Sequence, residues 1–343
     1  MQYTLLLWPH ANARYQAETR RLALSELELM LMRVAPEAFA RVDEASDMPS
    51  LIIEAPEPLD EKAISVIQNH SLLYGLFERR EDGMLKPVVG RAEAHLGADL
   101  PAILKYKGKT NEMFLQLLIN AALYSGDFWQ EDHLHFFDPM CGRATAPFIA
   151  LNRGWDAVGA DVDKTDLKEA EKFYKRYLEY HRYKHDMARE SRTAQGKKPV
   201  PVTRFTAAPT PEDYKAGRTV SLSLANLDAT QAGDVFGKNS FHLIACDLPY
   251  GVAHDAVPGQ SLPRGKNWLE ALLQRALPGF AKLLRPGGTV ALSFNAQTFS
   301  RDKLRGLMAD AGLEPFEGGP WDGFEHWVEQ AITRDVVVAR KRP

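Results

Sequence analysis

The sequence predicts an α/β protein in which a mostly parallel sheet carries helices on both faces, preceded by a small α/β domain. Three observations predict it. Short apolar runs rich in β-formers alternate with segments whose apolar residues recur at helical spacing, the alternation that builds parallel sheets. A turn holding a single glycine joins one such run to a helix, and an acidic residue closes the next run about twenty residues later. The chain closes on a helix and two runs that suit an antiparallel pair.

Taken in order, Tyr3 to Trp8 reads as a strand and Ala13 to Val34 as a helix, with apolar residues at Leu22, Leu24, Leu27, Leu29, Met30 and Met32 and a stop at Pro36. Ser50 to Glu54 and Leu72 to Arg79 read as strands, with a helix from Leu59 to Asn69 between them. Residues 1–100 are therefore expected to form a small N-terminal α/β domain, and residues 101–343 a second domain. In the second domain Asn111 to Tyr124 suits a buried helix, and HLHFFDPMCGRATAPFIALNRGWDAVGADVD reads strand, turn, helix, strand. Val220 to Ala225, Phe241 to Cys246 and Gly288 to Phe294 are further strands. Ser300 to Ala311 reads as a helix, and Pro315 to Phe316 with Ile332 to Ala339 as the terminal pair. The stretch from about 164 to 217 is long for a connection between strands, so a helix over Lys168 to Arg189 followed by a loop is expected there.

Composition narrows the classes. With 343 residues, 45% hydrophobic and 25% charged, the chain can bury a sizeable core. Two cysteines, Cys141 and Cys246, exclude a disulfide framework and a cysteine-rich zinc site. No apolar run approaches the length of about 18 residues that spans a membrane, so a cytoplasmic protein without a membrane partner is expected. A net charge of −3 leaves nucleic-acid binding to a local patch.

Two motifs carry chemistry. Asp138-Pro139-Met140-Cys141-Gly142-Arg143-Ala144-Thr145 fills the first strand-to-helix turn, where ligands of doubly wound sheets bind. One glycine instead of three, with a carboxylate ahead of the turn, suits a ligand cation such as a sulfonium-bearing amino acid better than a pyrophosphate. Asp161, ending the next strand, is placed to accept a ribose diol. The second motif, Asp247-Leu248-Pro249-Tyr250-Gly251, puts a carboxylate, a proline-stiffened carbonyl and an aromatic ring at a strand end. An exocyclic amine of a base is a poor nucleophile because its lone pair is delocalised into the ring. The Asp247 carboxylate and the Leu248 carbonyl can each accept one N–H and turn that pair towards a methyl donor, with Tyr250 stacked on the base.

DPMCGRAT, GADVD, LDAT and DLPYG, in this order over residues 105–343, resemble the class I methyltransferases that modify amino groups, above all the guanine-N2 methyltransferases of tRNA and rRNA that often carry a THUMP domain. The resemblance implies a Rossmann-like sheet of seven strands with an antiparallel terminal strand, S-adenosyl-L-methionine as methyl donor and RNA as partner. It also implies that Thr110 and Asn111, within KYKGKTNE, pack over the methionine end of the donor. Asp138 and Gly142 then meet its amino-acid part, with Pro139 and Cys141 also at the donor, Asp161 meets its ribose and Asp228 its adenine amine, while Asp247, counted among the donor-binding residues as well, holds the target with Leu248, Pro249 and Tyr250. Two positions depart from the family pattern: Ala144 stands where glycine is usual and Leu248 where proline is usual. Residues 1–100 are also too short for a full THUMP assembly. The open alternatives are an adenine or cytosine amine of DNA, a glutamine side chain of a protein, and a non-catalytic RNA-binding module.

Tyr174, Tyr177, Tyr180 and Tyr183 recur every three residues among Lys172, Lys175, Arg176, Arg182 and Lys184. Such a stripe is either an RNA-gripping surface, extended by Arg192, Lys197, Lys198 and Arg204, or a packing seam. His133 and His135 have no sequence companion at metal-ligand spacing and are read as structural, so no metal is expected.

Overall fold

The computed structural model describes residues 1–9, 13–106, 108–193, 199–250 and 267–342. Lys197, Lys198 and Gly251, named above in a basic loop and at the end of a motif, lie outside the described residues. The chain divides into two compact units. Unit 1 comprises Met1–Glu93, Asn295–Gln297 and Phe316–Val336, and unit 2 comprises Ala94–Phe294, Thr298–Pro315 and Val337–Pro343.

The first elements are β1 (Gln2–Leu7), α1 (Ala13–Val34), β2 (Phe39–Val42), β3 (Ser50–Glu54), α2 (Glu61–Ile67), β4 (Leu73–Arg79) and β5 (Leu85–Val89). The strands form a five-stranded sheet in the order β2-β3-β1-β4-β5, antiparallel throughout. β1 and β3 are nearly continuous apolar runs, and α1 contributes Leu22, Leu27 and Met30 to the core. The same helix buries one carboxylate, Glu26, which accepts the Ser71 N–H at 2.8 Å and the Ser71 hydroxyl, with His70 Nε2 at 3.5 Å. These partners replace the water that the charge loses on burial. Short, mostly exposed β2 and β5 carry no strong apolar period, and the sequence reading lacked both.

The remaining elements are α3 (Leu100–Ile103), α4 (Glu112–Ser125), β6 (His135–Asp138), α5 (Thr145–Asn152), β7 (Asp156–Asp161), α6 (Lys164–Tyr180), β8 (Lys184–Arg192) and β9 (Val200–Ala208). They continue with α7 (Pro211–Lys215), β10 (Val220–Asn226), α8 (Ala232–Val235), β11 (Phe241–Asp247), α9 (Trp268–Leu283) and β12 (Leu284–Asn295). The last are α10 (Arg301–Asp310), β13 (Leu313–Pro315), β14 (His326–Glu329) and β15 (Ile332–Lys341).

Nine strands follow one another in the order β13-β15-β12-β11-β6-β7-β10-β9-β8, and β14 pairs β15 off this path. The pairs β12/β11, β11/β6, β6/β7 and β7/β10 are parallel, which makes the expected Rossmann-like α/β sheet. From β6 the chain moves outward through β7 to β10, then returns to β11 on the other side of β6. That reversal makes a topological switch point at the carboxyl ends of β6 and β11, the place where doubly wound sheets bind ligands. β11 is buried from Phe241 to Cys246 and reaches partial exposure only at Asp247, as a central strand covered on both faces must.

To the seven strands expected, the β8/β9 hairpin adds two at the β10 edge. One expectation fails: the helix read over Lys168–Arg189 stops at Tyr180. Arg182 turns the chain through a left-handed conformation (φ 57°), after which β8 runs antiparallel to β9 where a loop had been expected. No helix among the described residues is long and apolar enough to cross a membrane.

Candidate functional site

Three adjacent parallel strands of unit 2 each end in an aspartate: β6 in Asp138, β7 in Asp161 and β11 in Asp247. Asp138 is buried, and its Oδ1 accepts the Met140 N–H at 3.1 Å. Burial pushes its carboxyl up to about 8, and the negative charges of Asp161 and Asp247 push the same way against the pull of Met140 and Cys246. Asp161 is raised as well, first by burial, with the N–H groups of Asp163 and Gly142 opposing. Three acids crowded into a poorly solvated edge repel each other, so the edge has an electrostatic preference for a cation.

The turn after β6 is stitched to β7. Cys141 N–H donates to Ala160 O at 2.9 Å, and Gly142 N–H to Asp161 Oδ2 at 2.8 Å. Asp161 Oδ1 takes the Asp163 N–H at 2.9 Å, so this carboxylate fixes two loops at once. Gly142 is at φ 50°, and Ala144, the residue standing in a usual glycine position, is held at φ 66°. Left-handed backbone costs an alanine roughly 1–2 kcal/mol, which is the physical reason glycine suits that place. Above the turn lies Tyr106: a Cβ added at Gly142 would sit 4.0 Å from its hydroxyl, and the Arg143 guanidinium stacks 4.6 Å from its ring centroid while pairing Asp166 at 2.8 Å. Cys141 packs against Gly159, where an added Cβ would come within 2.7 Å of its Sγ. Burial raises both cysteine thiols well above their ordinary range, so neither serves as a nucleophile.

Asp247 sits among hydroxyls. Thr110 Oγ1 donates to its Oδ2 at 2.6 Å, Ser293 Oγ to its Oδ1 at 2.8 Å, and the Tyr250 hydroxyl also donates to Oδ1. Ser293 is the register partner of Asp247 across β11 and β12, and its carbonyl takes the Leu248 N–H at 2.9 Å. Leu248 is buried and Pro249 exposed. Tyr250, given a stacking role from the sequence, thus has its hydroxyl on the carboxylate.

Of the residues named from the sequence, Thr110 meets Asp247, and Gly142 meets Asp161. Asn111 caps α4, its Oδ1 accepting Met113 N–H at 2.8 Å. Asp228 accepts Thr230 N–H at 2.8 Å and the Thr230 hydroxyl at 2.7 Å. The sequence reading missed Tyr106, Ser293 and Asn226, whose Nδ2 bonds the carbonyls of Asp161 and Val162 at 3.0 and 3.1 Å. A polar residue at or near the end of a strand, as Asn226 and Ser293 are, was the available signal.

The tyrosine stripe is a packing seam in its first half. Tyr174 is fully buried, stacked on Phe148 at 5.4 Å and edge-on to Phe205 at 5.2 Å. Tyr177 is buried and donates its hydroxyl to Asp99 Oδ1 at 2.6 Å. Neither can stack on a base; Tyr180, 83% exposed, remains on the surface.

No family model matches the chain, and no curated protein matches it. Among solved structures it is similar to a TehB-like SAM-dependent methyltransferase from Corynebacterium glutamicum (14% identity, 61% of this chain and 80% of that one, TM-score 0.33). It is also similar to the N-methyltransferase NodS from Bradyrhizobium japonicum (13% identity, 67% and 95%, TM-score 0.38). A possible exported protein from Bordetella parapertussis aligns over 97% of this chain and 98% of its own, at 12% identity and TM-score 0.39. Likenesses this distant place no residue and assign no activity.

Proposed function

We propose that the chain is an S-adenosylmethionine-dependent methyltransferase acting on an exocyclic amine of a nucleic-acid base, with guanine-N2 of tRNA or rRNA as the acceptor. The observation that carries the reading is the position of Asp247: it ends a central strand at the switch point, beside an acid-lined edge and a single-glycine turn. Further support comes from the sheet. Without the β8/β9 hairpin, seven strands remain in the order β10-β7-β6-β11-β12-β15-β13, with β13 antiparallel to β15, as the motif resemblance implies.

The residues fit the donor. S-adenosylmethionine supplies a methyl group on a positively charged sulfur and a second cation in its ammonium. An edge that holds a proton on Asp138, first because the group is buried and then because its neighbours are negative, gains by exchanging that proton for such a cation. Asp161, oriented by Gly142 and Asp163, accepts the ribose hydroxyls. Asp228, at the carboxyl side of β10, receives the adenine amine.

Asp247 and the Leu248 carbonyl then accept the two N–H groups of the target amine, turning its lone pair towards the methyl carbon. Hydroxyls rotate at little cost, so an incoming N–H takes the place of the Tyr250 or Ser293 bond to Oδ1. Thr110 keeps the carboxylate plane fixed from the Oδ2 side.

The test is incubation with methyl-labelled donor and either total RNA or genomic DNA, followed by nucleoside mass spectrometry. N2-methylguanosine in RNA is expected. Label in DNA alone or in protein alone overturns the acceptor assignment, and no label in any of them overturns the reading.

A further inference from the structure

We propose that His133, His135 and Asp156 bind one divalent transition-metal ion at the amino ends of β6 and β7, the edge of the unit 2 sheet opposite the aspartates. One ligand atom from each residue lies within 4.8 Å of the other two. His133 Nε2 is 3.3 Å and His135 Nε2 4.0 Å from Asp156 Oδ2. A tetrahedral ion with bonds near 2.0–2.1 Å separates its ligands by about 3.3 Å, so one contact already has that spacing and the others need closure of an ångström or so.

The chain builds this convergence in two ways. His133 and His135 are two residues apart at the entry to β6, and His135 is the register partner of Asp156 on β7. His133 stands in the bend just ahead of the strand, and its ring meets that of His135 edge-on at 5.9 Å. Two of the three side chains are also oriented from behind, and the third is fixed at its backbone. His133 Nδ1 bonds the Gly154 carbonyl at 2.8 Å; a carbonyl only accepts, so the proton sits on Nδ1 and the Nε2 lone pair faces Asp156. Asp156 Oδ1 accepts the Ser221 N–H at 2.7 Å, which leaves Oδ2 turned to the imidazoles. His135 is anchored through its backbone N–H, donated to His242 Nδ1 at 2.8 Å. Backing of imidazole and carboxylate ligands by such bonds is the usual architecture of metal sites.

Two imidazole nitrogens and one carboxylate oxygen suit zinc, cobalt, nickel or copper, not magnesium or calcium. The histidine rings are 46% and 44% exposed, so water completes the coordination sphere. The positive charge of Arg285, felt by His135 and His242, works against the ion and sets the affinity below that of a closed structural zinc site. The competing reading is a bare surface ion pair between His133 and Asp156.

The experiment is titration of the full chain with cobalt(II), followed by visible absorption, with zinc added as competitor. Expected are one cobalt per chain with the absorption of a low-symmetry site, its displacement by zinc, and at least a 10–100-fold weakening in His133→Gln and in Asp156→Asn. Asp156→Asn keeps an oxygen for the Ser221 N–H. His133 lies on an exposed approach to β6, so His133→Gln stays folded even if the other variant does not. His185→Gln, in exposed β8, should bind as the parent does. Absence of cobalt uptake, or uptake weakened equally by His185→Gln and His133→Gln, overturns the site.

Discussion

The strands β6, β7 and β11 carry ionisable groups at both ends, and the two ends have opposite characters. At the carboxyl ends stand Asp138, Asp161 and Asp247; at the amino ends stand His135, Asp156 and His242. Burial acts on both sets by the same rule, disfavouring charge. At one end it forces a proton onto Asp138, whose neighbours are also negative. At the other it strips protons from the imidazoles: His242 falls to about 4 and His135 is lowered too, burial leading in both and Arg285 adding to it. At neutral pH the carboxyl edge therefore waits for a cation that can replace a proton, whereas the amino edge presents neutral imidazoles. One sheet thus offers two chemistries, and the difference comes from residue type at strand ends, not from depth alone.

The strongest way to break this contrast is Asp247→Ala. Methyl transfer should fall by a factor of about 10²–10³ or more, the loss typical of removing one polar contact that acts in the transition state. A single-turnover assay with saturating donor checks it; a variant with half the parent rate would remove Asp247 from the chemistry.

Next in size is the pH dependence of donor binding. Asp138 holds its proton up to about 8, and a cationic donor favours the ionised form. Binding therefore expels a proton below that pH, so affinity should rise with pH by up to about tenfold per unit and level off above about 8. Asp138→Asn should flatten the profile. A flat profile in the parent protein would mean that Asp138 does not face the donor.

At the amino edge, His242→Leu should lower stability by about 1 kcal/mol, because the partly buried His135 N–H loses its acceptor. Chemical denaturation measures this, and donor affinity should stay at the parent value. A donor-binding defect here would show that the two edges are not independent.

The smallest effect is expected for Ala144→Gly. Relief of the left-handed alanine, roughly 1–2 kcal/mol, is offset by the lost buried methyl, about 0.8 kcal/mol, and by the freer unfolded chain, about 0.4–1 kcal/mol. Stability should thus move by less than about 1 kcal/mol in a melting curve; a loss of several kcal/mol would show that the methyl is a packing element of the turn.

Much of this contrast was legible in the sequence. Continuous apolar runs announced β6, β7, β10, β11 and β12, and Asp138, Asp161 and Asp247 stood out because each closes such a run. Their hydroxyl partners did not stand out. Thr110 lies 137 residues from Asp247 and Ser293 lies 46; the β11/β12 register brings Ser293 to it, and Thr110 reaches it from the segment ahead of α4. The same holds at the amino edge, where Asp156 was an unseen companion for His133 and His135 because it belongs to the neighbouring strand. β8 was misread for a different reason. Its sequence KHDMARESR is rich in helix formers and is exposed along almost its whole length, so neither propensity nor an apolar period marked it as a strand. Pairing with β9 decided its conformation over local preference. Nor does the sequence signal that Phe316–Val336 belongs to unit 1, since that membership is made by contacts distant along the chain.

The most direct measurement is calorimetric titration of S-adenosylmethionine into the parent protein, Asp161→Ala and Asp247→Ala. One donor per chain is expected, with affinity down by about 10–100-fold in Asp161→Ala, the worth of one or two charge-assisted hydrogen bonds, and nearly unchanged in Asp247→Ala. No heat of binding in the parent, or equal loss in the two variants, would contradict the division of the carboxyl edge into a donor-holding and an amine-holding aspartate.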